Sequence, residues 1–165
     1  STKRREGRIM HFTSPTKGAM SWEELVDDLL AYIAEEPEMS YKLIIGTDSQ
    51  VHKETYFVTA VVVHRVGKGA RYYYNRKMYE NINSLRQRIF MEAATSLETA
   101  SRLTQDLAAK GYTDLDLEIH LDIGRNGETK EMIRDIVGMI TGSGFDAKIK
   151  PYACGASTVA DKYTK

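Results

Sequence analysis

This chain has one cysteine, Cys154, so an internal disulfide is excluded and the lone thiol reads first as a small hydrophobe in reducing surroundings. No apolar run approaches the roughly 20 residues that a membrane-spanning helix needs. The basic start, Ser1-Thr2-Lys3-Arg4-Arg5-Glu6-Gly7-Arg8, has no apolar segment behind it, so a secretory signal is not expected and the cytoplasm is the expected address. Charge excess is missing too. With 23 basic and 23 acidic residues the net charge is zero, which excludes a whole-molecule field for polyanions and leaves that task to local clusters. Repeats and internal linkers are also lacking.

What is present is one domain's worth of core. At 165 residues, 42% apolar and 28% charged, the chain reads as soluble and globular and needs no metal or disulfide staple. Residues 1–18 are basic and aperiodic and read as a flexible arm; residues 19–165 read as a single domain. Ser21-Trp22-Glu23-Glu24 is a capping box. Behind it Trp22, Leu25, Val26, Leu29, Leu30 and Ile33 fall at helical spacing until Glu35-Glu36-Pro37 stops the helix.

Three strands are expected next: Leu43 to Asp48, Tyr56 to Arg65, and Arg71 to Tyr79, the last two joined by a turn at Gly67-Lys68-Gly69. They form an antiparallel meander. A long helix should run from about Ser84 to Lys110, ended by Gly111, with Leu85, Ile89, Ala93, Ser96, Ala100, Leu103 and Leu107 as its buried stripe and Glu92 at the stripe's edge. Leu115 to Ile123 alternates apolar residues with Asp116, Glu118, His120 and Asp122, as a strand does. A second helix over about Thr129 to Thr141, a short strand after Phe145 and a terminal helix over Ala156 to Lys165 complete the order. The fold expected is α/β: a mixed five-stranded sheet, three antiparallel strands followed by parallel ones, flanked by helices.

The stretch Leu43-Ile44-Ile45-Gly46-Thr47-Asp48-Ser49-Gln50 carries a carboxylate where a buried strand surfaces. Stripping water from an unpaired carboxylate costs several kcal/mol, so Asp48 needs compensation, unless it only begins the next turn. A crossover through the long helix sets Asp122 beside Asp48 with Glu92 nearby. Three carboxylates in one place repel, whereas a divalent cation with oxygen ligands turns the repulsion into binding. Each acid also has a structural reading. Asp122 suits the start of a turn at Gly124-Arg125-Asn126-Gly127, Asp161 suits a surface position, and Glu92 suits a pair with Arg88. Glu118 and His120 share the Asp122 face and either is an alternative ligand, although Glu118 better fits a solvated face. Arg71, Arg76 and Lys77 are interleaved with Tyr72, Tyr73, Tyr74 and Tyr79, a pattern suited to phosphates and stacked bases, although tyrosine also simply favours strands.

Thr47-Asp48-Ser49 on a first strand, Glu92 on the first long helix, Asp122 ending the fourth strand and Asp161 in a C-terminal helix resemble the acids of the ribonuclease H-like fold. Gly46-Thr47-Asp48-Ser49-Gln50, His120-Leu121-Asp122-Ile123-Gly124 with Asn126-Gly127, and Ala160-Asp161-Lys162 resemble the bacterial YkuK family of predicted ribonuclease H-like proteins. The resemblance implies a metal-dependent nuclease that hydrolyses phosphodiesters of RNA, a hybrid or structured DNA with two Mg²⁺ or Mn²⁺ ions. Asp48 would bridge both, Glu92 and Asp122 would hold one, and Asp161 would complete the other. Arg71, Tyr73, Arg76, Lys77 and Lys162 are the expected nucleic-acid contacts. No histidine stands between Asp122 and Asp161, where ribonucleases H carry a loop histidine that assists turnover. Two other readings follow: a nucleic-acid-binding module that no longer cuts, and a nucleotide-binding half-domain similar to actin-like ATPases, suggested by Asp122-Ile123-Gly124 with Asn126-Gly127-Glu128-Thr129-Lys130.

Overall fold

The computed structural model describes residues 11–123 and 130–149. Its centre is one mixed sheet. Strands β3 (Tyr41–Val51), β4 (Thr55–Arg65) and β5 (Ala70–Tyr79) form the expected meander, with Leu43 opposite Val63 and Val62 opposite Tyr72. The turn between β4 and β5 uses Gly67 and Gly69 at φ of 79° and 109°, a region costly for residues with a Cβ. Helix α2 (Leu85–Ala109) carries the chain over to β6 (Asp116–Leu121), which pairs in parallel with β3, and β7 (Asp146–Ile149) pairs in parallel with β6. Helix α3 (Lys130–Gly142) lies between β6 and β7 in sequence.

The sheet has seven strands rather than five. His11–Ser14 (β1) and Gly18–Ser21 (β2) form a hairpin, and β1 pairs with β5, so the spatial order is β2-β1-β5-β4-β3-β6-β7. Residues 11–18, expected in a flexible arm, thus belong to the sheet. Tertiary contacts hold them where local pattern is silent. Phe12 is buried against Trp22 with ring centroids 5.6 Å apart, and Asn75 donates from Nδ2 to the His11 carbonyl at 2.8 Å. Lys17, in the hairpin turn, pairs with Asp28 of helix α1 (Trp22–Glu35).

Helix α1 begins where the sequence indicates. Ser21 Oγ accepts from the Glu24 amide at 3.1 Å and the Glu24 carboxylate accepts from the Ser21 amide at 3.0 Å, which satisfies two otherwise orphan donors. In α2 the buried stripe is Ile89, Ala93, Ser96, Thr99, Ala100, Leu103 and Leu107; Leu85, expected in it, lies in the first turn and is exposed.

Strand alternation divides the core in two. Leu43, Ile45, Val61, Val63, Tyr73, Leu117 and Ile119 pack with residues of all three helices. Their neighbours Ile44, Val58, Ala60 and Val62 form a second cluster on the opposite face with Tyr72 and Tyr74, and among the described residues no helix residue belongs to it. The candidate functional residues are distributed between these faces.

Candidate active site

On the helix face the end of β3 becomes polar. Thr47 Oγ1 lies 2.7 Å from Ser96 Oγ of α2 and 3.2 Å from Thr59 Oγ1 of β4, and all three hydroxyls are buried. Two residues on, the Ser49 hydroxyl donates to the Glu92 carboxylate. Ser49 thus fastens the helix carboxylate to the strand. Its signal in the sequence was the two-residue alternation that puts Thr47 and Ser49 on the same side as Leu43 and Ile45.

The same alternation turns Asp48 to the other face, with Ile44. There β6 contributes Glu118, His120 and Asp122. The β3–β6 register pairs Gly46 with His120, and its continuation sets Asp48 level with Asp122 at the end of the sheet. Glu92 therefore reaches the acids around the strand ends from the helix side, rather than standing over both on a single face. The three carboxylates still sense one another. Burial, reinforced by the charges of Asp48 and Asp122, pushes the Glu92 carboxyl up to about 8, against the pull of the Ser49 hydroxyl and the Arg88 guanidinium.

That shift has a measurable consequence. Between the ordinary value of 4.5 and about 8, the folded protein keeps a proton on Glu92 that the unfolded chain has released, so metal-free stability falls as pH rises through this window. The slope from this one group is at most about 1.4 kcal/mol per pH unit. Glu92→Gln resembles the protonated carboxyl. In a chelator its melting temperature should match that of the wild type near pH 5 and exceed it near pH 8, and parallel pH curves for the two proteins would contradict the shift.

Glu118 and His120 form a network of their own. His120 Nε2 lies 3.0 Å from Glu118 Oε1, and Lys42 Nζ of β3 lies 3.2 Å from Glu118 Oε2. Glu118 is 8% exposed, not on the solvated face expected of it. Burial opposes its ionisation, but His120 and Lys42 together hold its carboxyl below the usual range. Gly46, opposite His120, has no side chain to crowd the imidazole. This chain of Lys42, Glu118 and His120 stands directly behind Asp122 on one strand face. Sequence reasoning noticed His120 and Glu118 but not Lys42, whose role depends on the parallel pairing of β3 with β6.

The expected nucleic-acid residues separate. Tyr73 is fully buried and its hydroxyl donates to Asp28 at 2.5 Å, so it presents no ring face to a ligand. Arg71 stacks on Tyr32 with its guanidinium carbon 4.7 Å from the ring centroid and meets Asp28 at 3.4 Å. Strand alternation puts Tyr73 in the interior and Arg71, part-buried, on the same helix-facing side. Arg76 and Lys77 are exposed, on opposite faces of the sheet. Asp161 and Lys162 lie outside the described residues, as do the segment Asn126 to Thr129 and Cys154.

The donor chemistry at Asp48, Glu92 and Asp122 is all hard oxygen, which suits Mg²⁺ or Mn²⁺ better than a soft metal. Mutual repulsion around Glu92 is the mark of a place that a cation would stabilise. Among the described residues no three His, Cys, Asp or Glu side chains converge closely enough to enclose an ion. Mg²⁺, which keeps several waters and takes one or two carboxylates, does not require such an enclosure.

Comparison with known proteins agrees with this architecture. The family model for ribonuclease H-like proteins matches residues 24–165. A protein of Bacillus subtilis (strain 168) with the name "Uncharacterized protein YkuK" is 39% identical over 167 aligned positions, covering 93% of this chain and 96% of that protein. Among the described residues no helix is long and apolar enough to cross a membrane.

Proposed function

Because the chain belongs to the ribonuclease H-like family, we propose that it is a metal-dependent nuclease that hydrolyses phosphodiester bonds in nucleic acid, with Asp48, Glu92, Asp122 and Asp161 as its acidic residues. The observation that carries this reading is the placement of Asp48 beside Asp122 by the β3–β6 pairing, with Glu92 fastened to the neighbouring Ser49. Asp48, within β3, and Asp122, just past the end of β6, would present carboxylate oxygens to Mg²⁺ or Mn²⁺ from one side, and Glu92 from the other. Asp161 would add a fourth carboxylate. When bound, two such ions lower the pKa of an attacking water and stabilise charge on the phosphate.

The protein's own groups supply position. The Ser49 hydroxyl holds Glu92 against the strand, and the Lys42, Glu118 and His120 network stiffens β6 one residue pair before Asp122. A carboxylate held in one rotamer needs no reorganisation when the ion arrives. Arg88, one helical turn before Glu92 and within its electrostatic reach, and the exposed Arg76 and Lys77 would draw the phosphate backbone toward the acids. Lys162 would serve the same purpose.

A second reading, a nucleic-acid-binding module without hydrolysis, is favoured by the exposed Arg76 and Lys77 on the tyrosine-rich strand β5 and by a sequence with no histidine between Asp122 and Asp161. The two separate cleanly. Labelled RNA, DNA and hybrid oligonucleotides incubated with Mg²⁺ or Mn²⁺ should be cut, and chelation should abolish the cutting. Salt-dependent binding of the same oligonucleotides with no cleavage under either metal would leave the binding module instead.

A further inference from the structure

Strands β3, β4 and β5 run past the end of β6, whose last residue, Leu121, is level with Thr47 on β3. On the face that carries Asp48, this overhang consists of two successive rows across the sheet. The nearer row is Asp48, Val58 and Arg76; the outer one is Gln50, Tyr56 and Met78. Arg76 lies with its guanidinium carbon 4.2 Å from the centroid of the Tyr56 ring, so cation and aromatic are stacked. The His52 ring stands 6.3 Å from Tyr56, tilted by 54°. Met78, opposite Tyr56, is 48% exposed, although it is a large apolar side chain.

Arg76 differs from the other arginines of the meander. Arg65 pairs with Glu36 and Arg71 with Asp28, and both are spent on the fold. Arg76 meets no carboxylate among the described residues, is exposed, and is held flat by Tyr56, whose hydroxyl donates to Glu54 at 3.1 Å. A planar cation with free N–H edges suits a phosphate, and its open face together with Tyr56 and a soft thioether suits a nucleobase. Bases can reach such a surface only when they are not paired, since pairing and stacking hide their faces.

We propose that Tyr56, Arg76 and Met78 form a stacking platform for an unpaired stretch of nucleic acid at the open edge of this face, beside the row that holds Asp48 and the buried Val58; the proposal rests on the nuclease reading for what happens at Asp48. Two strand spacings, roughly 9–10 Å, separate Asp48 from Arg76 in their shared row. The platform thus binds the strand next to the acids, and it makes single-stranded segments, tails or loops the substrate class.

Fluorescence anisotropy in a chelator at low salt tests binding apart from cleavage, with three probes of about 12 nucleotides, within the span such surfaces cover: a single strand, a blunt duplex, and an abasic strand with the same phosphates. The wild type should favour the base-bearing single strand. Tyr56→Leu should weaken that probe about tenfold and leave the abasic strand within about twofold. Arg76→Lys, which keeps the charge and loses the planar stack, should also weaken the base-bearing strand while preserving the salt slope. Circular dichroism melting of both variants confirms that they fold. Equal loss on all three probes, no loss, a preference for duplex, or no binding by the wild type would each overturn the platform. Base-dependent binding by a protein that cuts nothing would support the platform and remove the hydrolysis, so the two readings fail separately.

Discussion

Asp48→Asn is expected to abolish metal-dependent cleavage, with a loss of at least about a thousandfold, roughly 4 kcal/mol of barrier. Asparagine keeps the size and one acceptor oxygen of aspartate but not its charge. The same substitution removes one of the two neighbours that push the Glu92 carboxyl up, so its acidity should move back toward the ordinary carboxylate value. In a chelator at pH 8 the variant should then melt no lower than the wild type, because less repulsion is built into its folded state. Loss of activity with stability kept or raised is the signature of a functional acid. Cleavage that survives Asp48→Asn would end the assignment, and a variant that lost activity because it had unfolded would show in the melting curve. Thr47 and Ser49, on either side, make the experiment sharper because they belong to the helix face, bonded to Ser96 and Glu92, and are left in place.

The second large effect concerns the other end of the molecule. Asp28 of α1 is 7% exposed, and its carboxylate takes Lys17 from the hairpin turn, the Tyr73 hydroxyl at 2.5 Å and Arg71 at 3.4 Å, both from β5. One side chain thus ties together the β1–β2 hairpin, a helix and a central strand. Burial raises its proton affinity, but the hydrogen bonds from Lys17 and Tyr73 and the charges of Arg71 and Lys17 outweigh that and hold the carboxyl below its ordinary value of 3.8. Asp28→Ala leaves the buried Tyr73 hydroxyl without its acceptor and the part-buried Arg71 guanidinium with the more distant Glu35, at 4.0 Å, and should cost about 3–5 kcal/mol. For a chain of this size that lowers the melting temperature by roughly 6–20 °C. Asp28→Asn, which can still accept from Tyr73, should cost less.

The sign with pH follows from the depressed carboxyl. Its contribution is complete above the unfolded value of 3.8 and disappears as pH falls through the lower folded value, so the gap between wild type and Asp28→Ala should close in acid. Urea unfolding at pH 7 and pH 3 would measure both points. A gap that stayed constant with pH would mean that the loss is one of packing rather than charge.

Much of this protein was readable before any coordinates. Helix α1, the meander, α2 and β6 all appear where periodicity and capping put them, because each carries a local signal: a capping box at Ser21, a glycine turn at Gly67 and Gly69, an apolar stripe from Ile89 to Leu107. The order of the acids along those elements was likewise visible. The hairpin at His11–Ser21 was not, because its strands are four residues each and its stability comes from Phe12 under Trp22, Asn75 under His11 and Lys17 on Asp28. The Asn75–His11 bond spans 64 residues, and the other two join residues of different elements that no helix or strand period links.

The site shows the same division. Residue type and spacing along the chain determined that Asp48 and Asp122 follow apolar strand runs and that Glu92 is at the margin of a buried helical stripe, although β3 continues past Asp48 to Val51. Tertiary structure decided their faces. A strand sends successive side chains to opposite sides, so Thr47 and Ser49 went to the helices while Asp48 went with Ile44, and in β5 Tyr73 went to the core while Arg76 went to solvent. Alternation sorts the residues of a strand into two sets, but only the packing of α2 and its partners determines which set meets the helices, because a sheet has no inside until something is laid against it.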